Sequence, residues 1–317
     1  MQGTVTAAKN FNATTAAEVL HKAIAGLGTN DAKVIELLSR YNYNQRQEMM
    51  LAYDKKYNKA MVSDVAADLS FRYKDTAVAL LTEPVLYDVK ELRKAMKGLG
   101  TDETTLIEII FSRDPERMAA IKQRYSVEYE VSLEEDISGD CSGHFRHLLL
   151  SQVSGTREQT RKEDVDLGLA QQDATSLYKA GEGKLGTDEK KFNAVLAGRS
   201  FPHLFQVMKF YREKVGHDLE HAIRSETSGN LRDAYLAIAA MARGTPTLFA
   251  QHLYKYTKGL GTNDSNLIRV IVSRCEIDMV QIKEEYFKLY GQTLVDCIKG
   301  DTSGDYRNLL LALVRGH

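Results

Sequence analysis

Residues 95–110 read AMKGLGTDETTLIEII: two glycines, a threonine and two acids, followed by apolar residues at helical spacing. The turn recurs as IAGLGTND (24–31), MKGLGTDE (96–103), GEGKLGTDE (181–189) and TKGLGTND (257–264). A second motif trails each one: DLSFRY from Asp68, DCSGHF from Asp140, ETSGNL from Glu226 and DTSGDY from Asp301. From the last glycine of each turn to that acid (Gly28 to Asp68, Gly100 to Asp140, Gly186 to Glu226, Gly261 to Asp301) the distance is forty residues every time. A period of this length marks a repeat architecture, here with four copies.

Each copy reads as helical. Leu106, Ile109 and Ile110, then Met118, Ile121 and Tyr125, recur at helical spacing, as do Met279, Ile282 and Tyr286. The four prolines, Pro84, Pro115, Pro202 and Pro246, all lie where helices start or stop. No Asn-Gly or Asp-Gly hairpin joins alternating runs. The fold class expected is all-α, with the polar stretch 154–166 as linker and the chain divided there into two halves.

Composition narrows the function. The 317 residues, 43% hydrophobic, are ample for a globular core. Forty-two basic and forty-three acidic side chains leave a net charge of −1, which argues against nucleic acid and against a polybasic membrane contact. Cys141, Cys275 and Cys297 have no CxxC spacing and suit free thiols in a reducing compartment. The N-terminus lacks a secretory pattern and the apolar runs fall short of the ~18 residues of a membrane span, so a cytosolic location is expected.

Three chemistries compete for the turn. Helix capping has Thr101 as N-cap, with Asp102 and Glu103 at the positive end of the helix dipole. A phosphate loop requires G-x-x-x-x-G-K-[ST] after a strand, which is missing. The third is calcium: glycines let backbone carbonyls converge, and Ca²⁺ takes about 6 to 8 oxygens. Three carbonyls and one bidentate acid supply about five, so an outside ligand must complete the shell.

The paired motifs, with a Ser-Arg turn between them, resemble the four-repeat core of the annexins over nearly the whole chain. That resemblance implies four repeats of about five short helices forming a curved disc, with Ca²⁺ on its convex face and phospholipid head groups filling the open coordination positions. The boundaries expected are a head at 1–11, repeats at 12–83, 84–155, 167–243 and 244–317, and a linker at 156–166. Carried over by register, the ligand sets are Met96, Gly98, Gly100 and Asp140 in repeat two, and Thr257, Gly259, Gly261 and Asp301 in repeat four. Repeat three, one residue longer, offers Gly181, Lys184, Gly186 and Glu226, with Leu185 at the loop tip to enter the lipid interface. Repeat one offers Ile24, Gly26, Gly28 and Asp68. It departs twice: Phe71 stands where Gly143, Gly229 and Gly304 stand elsewhere, and Tyr41 occupies the register of Arg113, Arg199 and Arg274. Site one is therefore expected to be the weakest.

The implied partner is an anionic, phosphatidylserine-like membrane, engaged peripherally when Ca²⁺ rises. A protein partner for the head and self-association on the membrane stay open. Glu108 and Arg269 occupy the same place in LIEII and LIRVI. They read either as charges in a solvated seam or paired with neighbours, or, through the resemblance, as members of a polar central channel in an ion-conducting protein. His144 with His147 and His217 with His221 have spacings that suit zinc, but no third ligand stands beside either pair. A hydrolase needs an oriented nucleophile, and no G-x-S-x-G or comparable arrangement is present, so catalysis is not expected. A helical scaffold for protein partners is the remaining alternative.

Overall fold

The computed structural model describes every residue except Leu27, Leu99, Leu185, Leu260 and His317. Among the described residues there are twenty α-helices, one short 3₁₀ helix and no strand. Each repeat holds five helices. In repeat two they are Pro84–Met96, Glu103–Ser112, Pro115–Tyr129, Leu133–Asp140 and Gly143–Val153.

Local chemistry accounts for most boundaries. Asp114 caps the helix that opens on Pro115, and Ser200 caps the one carrying Pro202, where a missing N–H costs nothing. Asn42 with Gln45 and Ser132 with Glu135 close reciprocal capping boxes. Met118, Ile121, Tyr125, Met279, Ile282 and Tyr286 are all buried, each stabilising its repeat by roughly 1.5–3 kcal/mol in area terms.

Two apolar cores form, and they do not divide the chain at the 154–166 stretch. One compact unit comprises Met1–Pro84 and Phe249–His317, hence repeats one and four; the other is Val85–Leu248, hence repeats two and three. In the first, helix Phe71–Leu81 packs on Asp264–Arg274 and Gly304–Arg315. In the second, Gly229–Arg243 packs on Glu103–Ser112 and Gly143–Val153 on Glu189–Gly198. The expected division into halves is not the one the cores make, because repeats two and three share one core across this stretch; the stretch itself is held down. Arg157 is buried, its guanidinium donating to the carbonyls of Leu196 (2.8 Å) and Arg199 (2.6 Å) and lying over the Phe201 ring. Burial pushes the Arg157 guanidinium down to about 10.

The same pairing rule operates in both units. Arg72, next after the αL residue of repeat one, bridges Asp264, the third residue past the last turn glycine of repeat four, at 3.3 Å. Asn230 of repeat three donates to Glu103 of repeat two, from the same two registers, at 2.6 Å.

The head is part of the first unit. The N–H groups of Thr4 and Val5 both donate to the Cys275 carbonyl, Val5 is buried, and Gln45 clamps Ala8 through its N–H and carbonyl. A Cβ on Gly3 would lie 2.4 Å from the Glu276 backbone, so only glycine fits there.

The arginine missing from repeat one has a substitute. Arg46, buried, donates to the carbonyls of Leu38, Tyr41 and Leu80 and pairs with Glu276 at 2.7 Å. Glu108 and Arg269 are each fully enclosed, which removes the solvated-seam reading; Arg269 donates to Asn266 at 2.9 Å. All three cysteines are free and buried.

Candidate metal sites

The helices deliver the proposed ligands to fixed places. Ile24, Met96 and Thr257 are the last residues of the first helix of their repeats, where helical carbonyls run out of intrahelical partners. Asp68, Asp140, Glu226 and Asp301 are each the last residue of the fourth helix. Turn and acid thus meet as two helix C-termini, both rich in outward-facing oxygen and carrying the negative end of the helix dipole.

A clip closes each loop. The N–H of the residue after the threonine donates to the carbonyl seven or eight positions back: Asn30 to Ala23 (2.8 Å), Asp102 to Ala95 (2.8 Å), Asp188 to Ala180 (2.7 Å) and Asn263 to Tyr256 (2.9 Å). Inside the clip Gly26, Gly28, Gly98, Gly100, Gly259 and Gly261 all have φ between 86° and 142°, a region open chiefly to glycine. Among the described residues, the carbonyls of Met96, Gly98 and Gly100 accept no loop hydrogen bond, nor do those of Ile24, Gly26, Gly28, Thr257, Gly259 and Gly261. Thr257 turns its hydroxyl inward to the Leu253 carbonyl, so the carbonyl is the group it has to offer.

The threonine does not cap the following helix. That role falls to the next residue: Asn30, Asp102, Asp188 and Asn263 accept from a backbone N–H three positions on. The threonine hydroxyl instead reaches the acid. Thr29 donates to Asp68 Oδ2 at 2.6 Å, Thr101 to Asp140 Oδ2 at 2.7 Å, Thr187 to Glu226 Oε2 at 3.0 Å, and Thr262 to the Asp301 carbonyl at 3.0 Å. Sequence reasoning missed this tether. Its signal was available, since the threonine stands thirty-nine residues before the acid in every repeat.

Repeat three is built differently. Gly186 keeps φ at 78°, but Lys184 is not among the described residues with positive φ, and its N–H donates to the Gly181 carbonyl at 3.0 Å. The expected role of Leu185 falls outside the described residues. In repeat one, Phe71 adopts φ 48°, close to the 60°, 58° and 62° of Gly143, Gly229 and Gly304. The turn is therefore kept and Asp68 stays tethered, at the cost of a bulky residue in αL. Its ring is 86% exposed and recovers nothing by packing. Replacing Phe71 with glycine should stabilise the chain by about 1 kcal/mol. Urea unfolding checks this; an unchanged or lower midpoint would mean the ring makes a compensating contact.

Acids crowd site one. The Asp31 carboxyl is held above its ordinary range by burial, then by the charges of Asp305 and Asp68. A dense field of oxygens with few amines suits a hard cation. The donor set of free carbonyls plus one carboxylate fits Ca²⁺, with positions left over, at sites one, two and four. Site three fits less fully, because one of its carbonyls is shared with an N–H.

An all-helical four-repeat fold with such loops defines a class, and comparison with known proteins agrees. The Annexin family model matches residues 15–80, 87–151, 172–238 and 248–313. Annexin A4 of Rattus norvegicus is 48% identical over 314 residues, covering 99% of this chain and 98% of that one. The solved structure of annexin III superposes with a TM-score of 0.93 at 42% identity, over 100% of this chain and 98% of that one. Calcium-bound annexin (Sm)1 does so with a TM-score of 0.85 at 30% identity, over 99% and 93%. The chain belongs to the annexin family.

Proposed function

We propose that the chain binds anionic, phosphatidylserine-like membranes through Ca²⁺ held at its loop-and-acid sites, and does no catalysis. The observation that carries this is the junction, in all four repeats, of a glycine-turn loop with a helix-terminal acid, the loop carbonyls at sites one, two and four accepting no loop hydrogen bond among the described residues. The ligand sets are Ile24, Gly26, Gly28 and Asp68; Met96, Gly98, Gly100 and Asp140; Gly181, Lys184, Gly186 and Glu226; and Thr257, Gly259, Gly261 and Asp301. Bound Ca²⁺ supplies a positive charge and open coordination positions for phosphate or carboxylate oxygens. The chain's own part is to hold carbonyls and acid in register, through the clips and the threonine tethers.

A net charge of −1 supports a bridge by cation over a basic patch, and several weak sites acting together would gain avidity. Among the described residues no helix is long and apolar enough to cross a membrane, which is compatible with peripheral attachment from the cytoplasm. The exposed Phe71 ring beside site one is an apolar group to offer lipid. The grouping of the helices into quintets supports repeat boundaries at 12–83, 84–155, 167–243 and 244–317. A protein partner for the head would have to displace its bonds to Cys275 and Gln45.

Co-sedimentation with phosphatidylserine vesicles tests the reading. Binding should require Ca²⁺, reverse with chelator and survive moderate salt better than a polybasic contact. Equal binding in excess chelator would sink it.

A further inference from the structure

Repeat three brings together three ligand-bearing side chains that the calcium sites leave unused. Glu182, the second residue of the longer loop, meets His217, in the turn after helix Phe201–Val215, and His221, in the first turn of helix Leu219–Glu226. One ligand atom from each lies within 4.8 Å of the other two. His217 Nε2 is 3.3 Å from Glu182 Oε1, and the two imidazole rings are 4.5 Å apart between centroids.

Three features of the cluster point to a cation. The fully buried Tyr211 donates its hydroxyl to Glu182 Oε2 at 2.7 Å, which orients the carboxylate and leaves Oε1 for the histidine. His217 Nδ1 lies 3.3 Å from the Asp218 carbonyl, a contact that places the ring proton on Nδ1. Nε2 then faces the Glu182 Oε1 oxygen, and a proton or a metal ion between them satisfies both. A tetrahedral zinc site separates its ligand atoms by about 3.4 Å, so the Glu182–His217 edge already has the spacing and His221 closes by a rotamer-sized movement. Imidazole nitrogen selects zinc-like ions over calcium, and the tyrosine supplies the outer-shell support such sites use.

We propose that Glu182, His217 and His221 form a three-ligand site for a divalent transition-metal ion of zinc's class, with the fourth position open to water or an external ligand. It is distinct from the calcium sites in chemistry and stands whether or not they bind membrane. Where the calcium reading holds, the ion would also pin the loop that carries Gly181 and Lys184. The histidine pair alone, read from sequence, lacked its third ligand because that ligand stands thirty-five residues upstream of His217.

The test is calorimetric titration of the full chain with ZnCl₂ in calcium-free buffer, with visible absorption of the Co²⁺-loaded chain to report tetrahedral nitrogen ligation. Wild type should show one Zn²⁺ site that His217→Ala/His221→Ala removes and Glu182→Gln weakens about tenfold. Tyr211→Phe should weaken it by several fold, with the Co²⁺ bands retained. His221 is exposed and His217 half-buried, and circular dichroism of the double variant checks folding. If a double variant of unchanged helicity binds Zn²⁺ as wild type does, or if Co²⁺ gives only the weak bands of an all-oxygen shell, the assignment is wrong.

Discussion

Asp140→Ala combined with Asp301→Ala should raise the Ca²⁺ concentration for half-maximal vesicle binding by about tenfold or more, with each single change giving a few-fold shift. Each proposed site has one principal carboxylate among neutral carbonyls, so its removal would take away the main electrostatic attraction for the ion; a loss of 1.4 kcal/mol is already tenfold. On the proposed reading several sites engage one vesicle, and the double change would then also lower avidity. The structure alters the ranking expected from sequence. Phe71 keeps the αL turn and Thr29 still holds Asp68, so the geometric reason for a weak site one is absent. Asp68→Ala should therefore shift the midpoint within about twofold of Asp140→Ala. An Asp68→Ala protein indistinguishable from wild type would show site one idle. An unshifted Asp140→Ala/Asp301→Ala protein would remove these acids from the mechanism.

Asp88→Ala is expected to be the most damaging single change to stability, at about 3–5 kcal/mol. Asp88 is 2% exposed and accepts from Arg113 Nη2 at 2.7 Å and from Arg117 Nε and Nη2 at 3.1 Å. Removing the carboxylate takes away the acid that the Arg113 guanidinium, its side chain 7% exposed, pairs with through two hydrogen bonds. Asp75→Ala is the control: its bridge to Arg72 is half exposed and worth about 0 to 1 kcal/mol. Urea denaturation of the two variants measures the difference. A loss below about 1 kcal/mol for Asp88→Ala would show that water screens the cluster as it screens a surface pair.

Several elements were legible because their causes are local. The helix starts at Pro115 and just before Pro202 follow from φ and a missing N–H, and buried faces such as Met118, Ile121 and Tyr125 follow from a period of 3.6. The turn glycines were legible too, since no other residue takes their φ cheaply. Phe71 was legible only as an exception. Its sequence position says a glycine is missing, whereas the backbone shows that the αL conformation was retained with phenylalanine in it.

By itself the sequence determined the helical class, the four repeats and the forty-residue link between turn and acid, because periodicity and capping act within a few residues of chain. Tertiary structure alone decided that repeat one shares a core with repeat four and repeat two with repeat three. It also decided that the turn threonines tether acids, that Arg157 holds down the connector, and that Glu182 reaches two histidines. These depend on which helix faces meet and how closely. That is settled by the packing of many side chains at once, between residues dozens or hundreds of positions apart, and no local pattern records it.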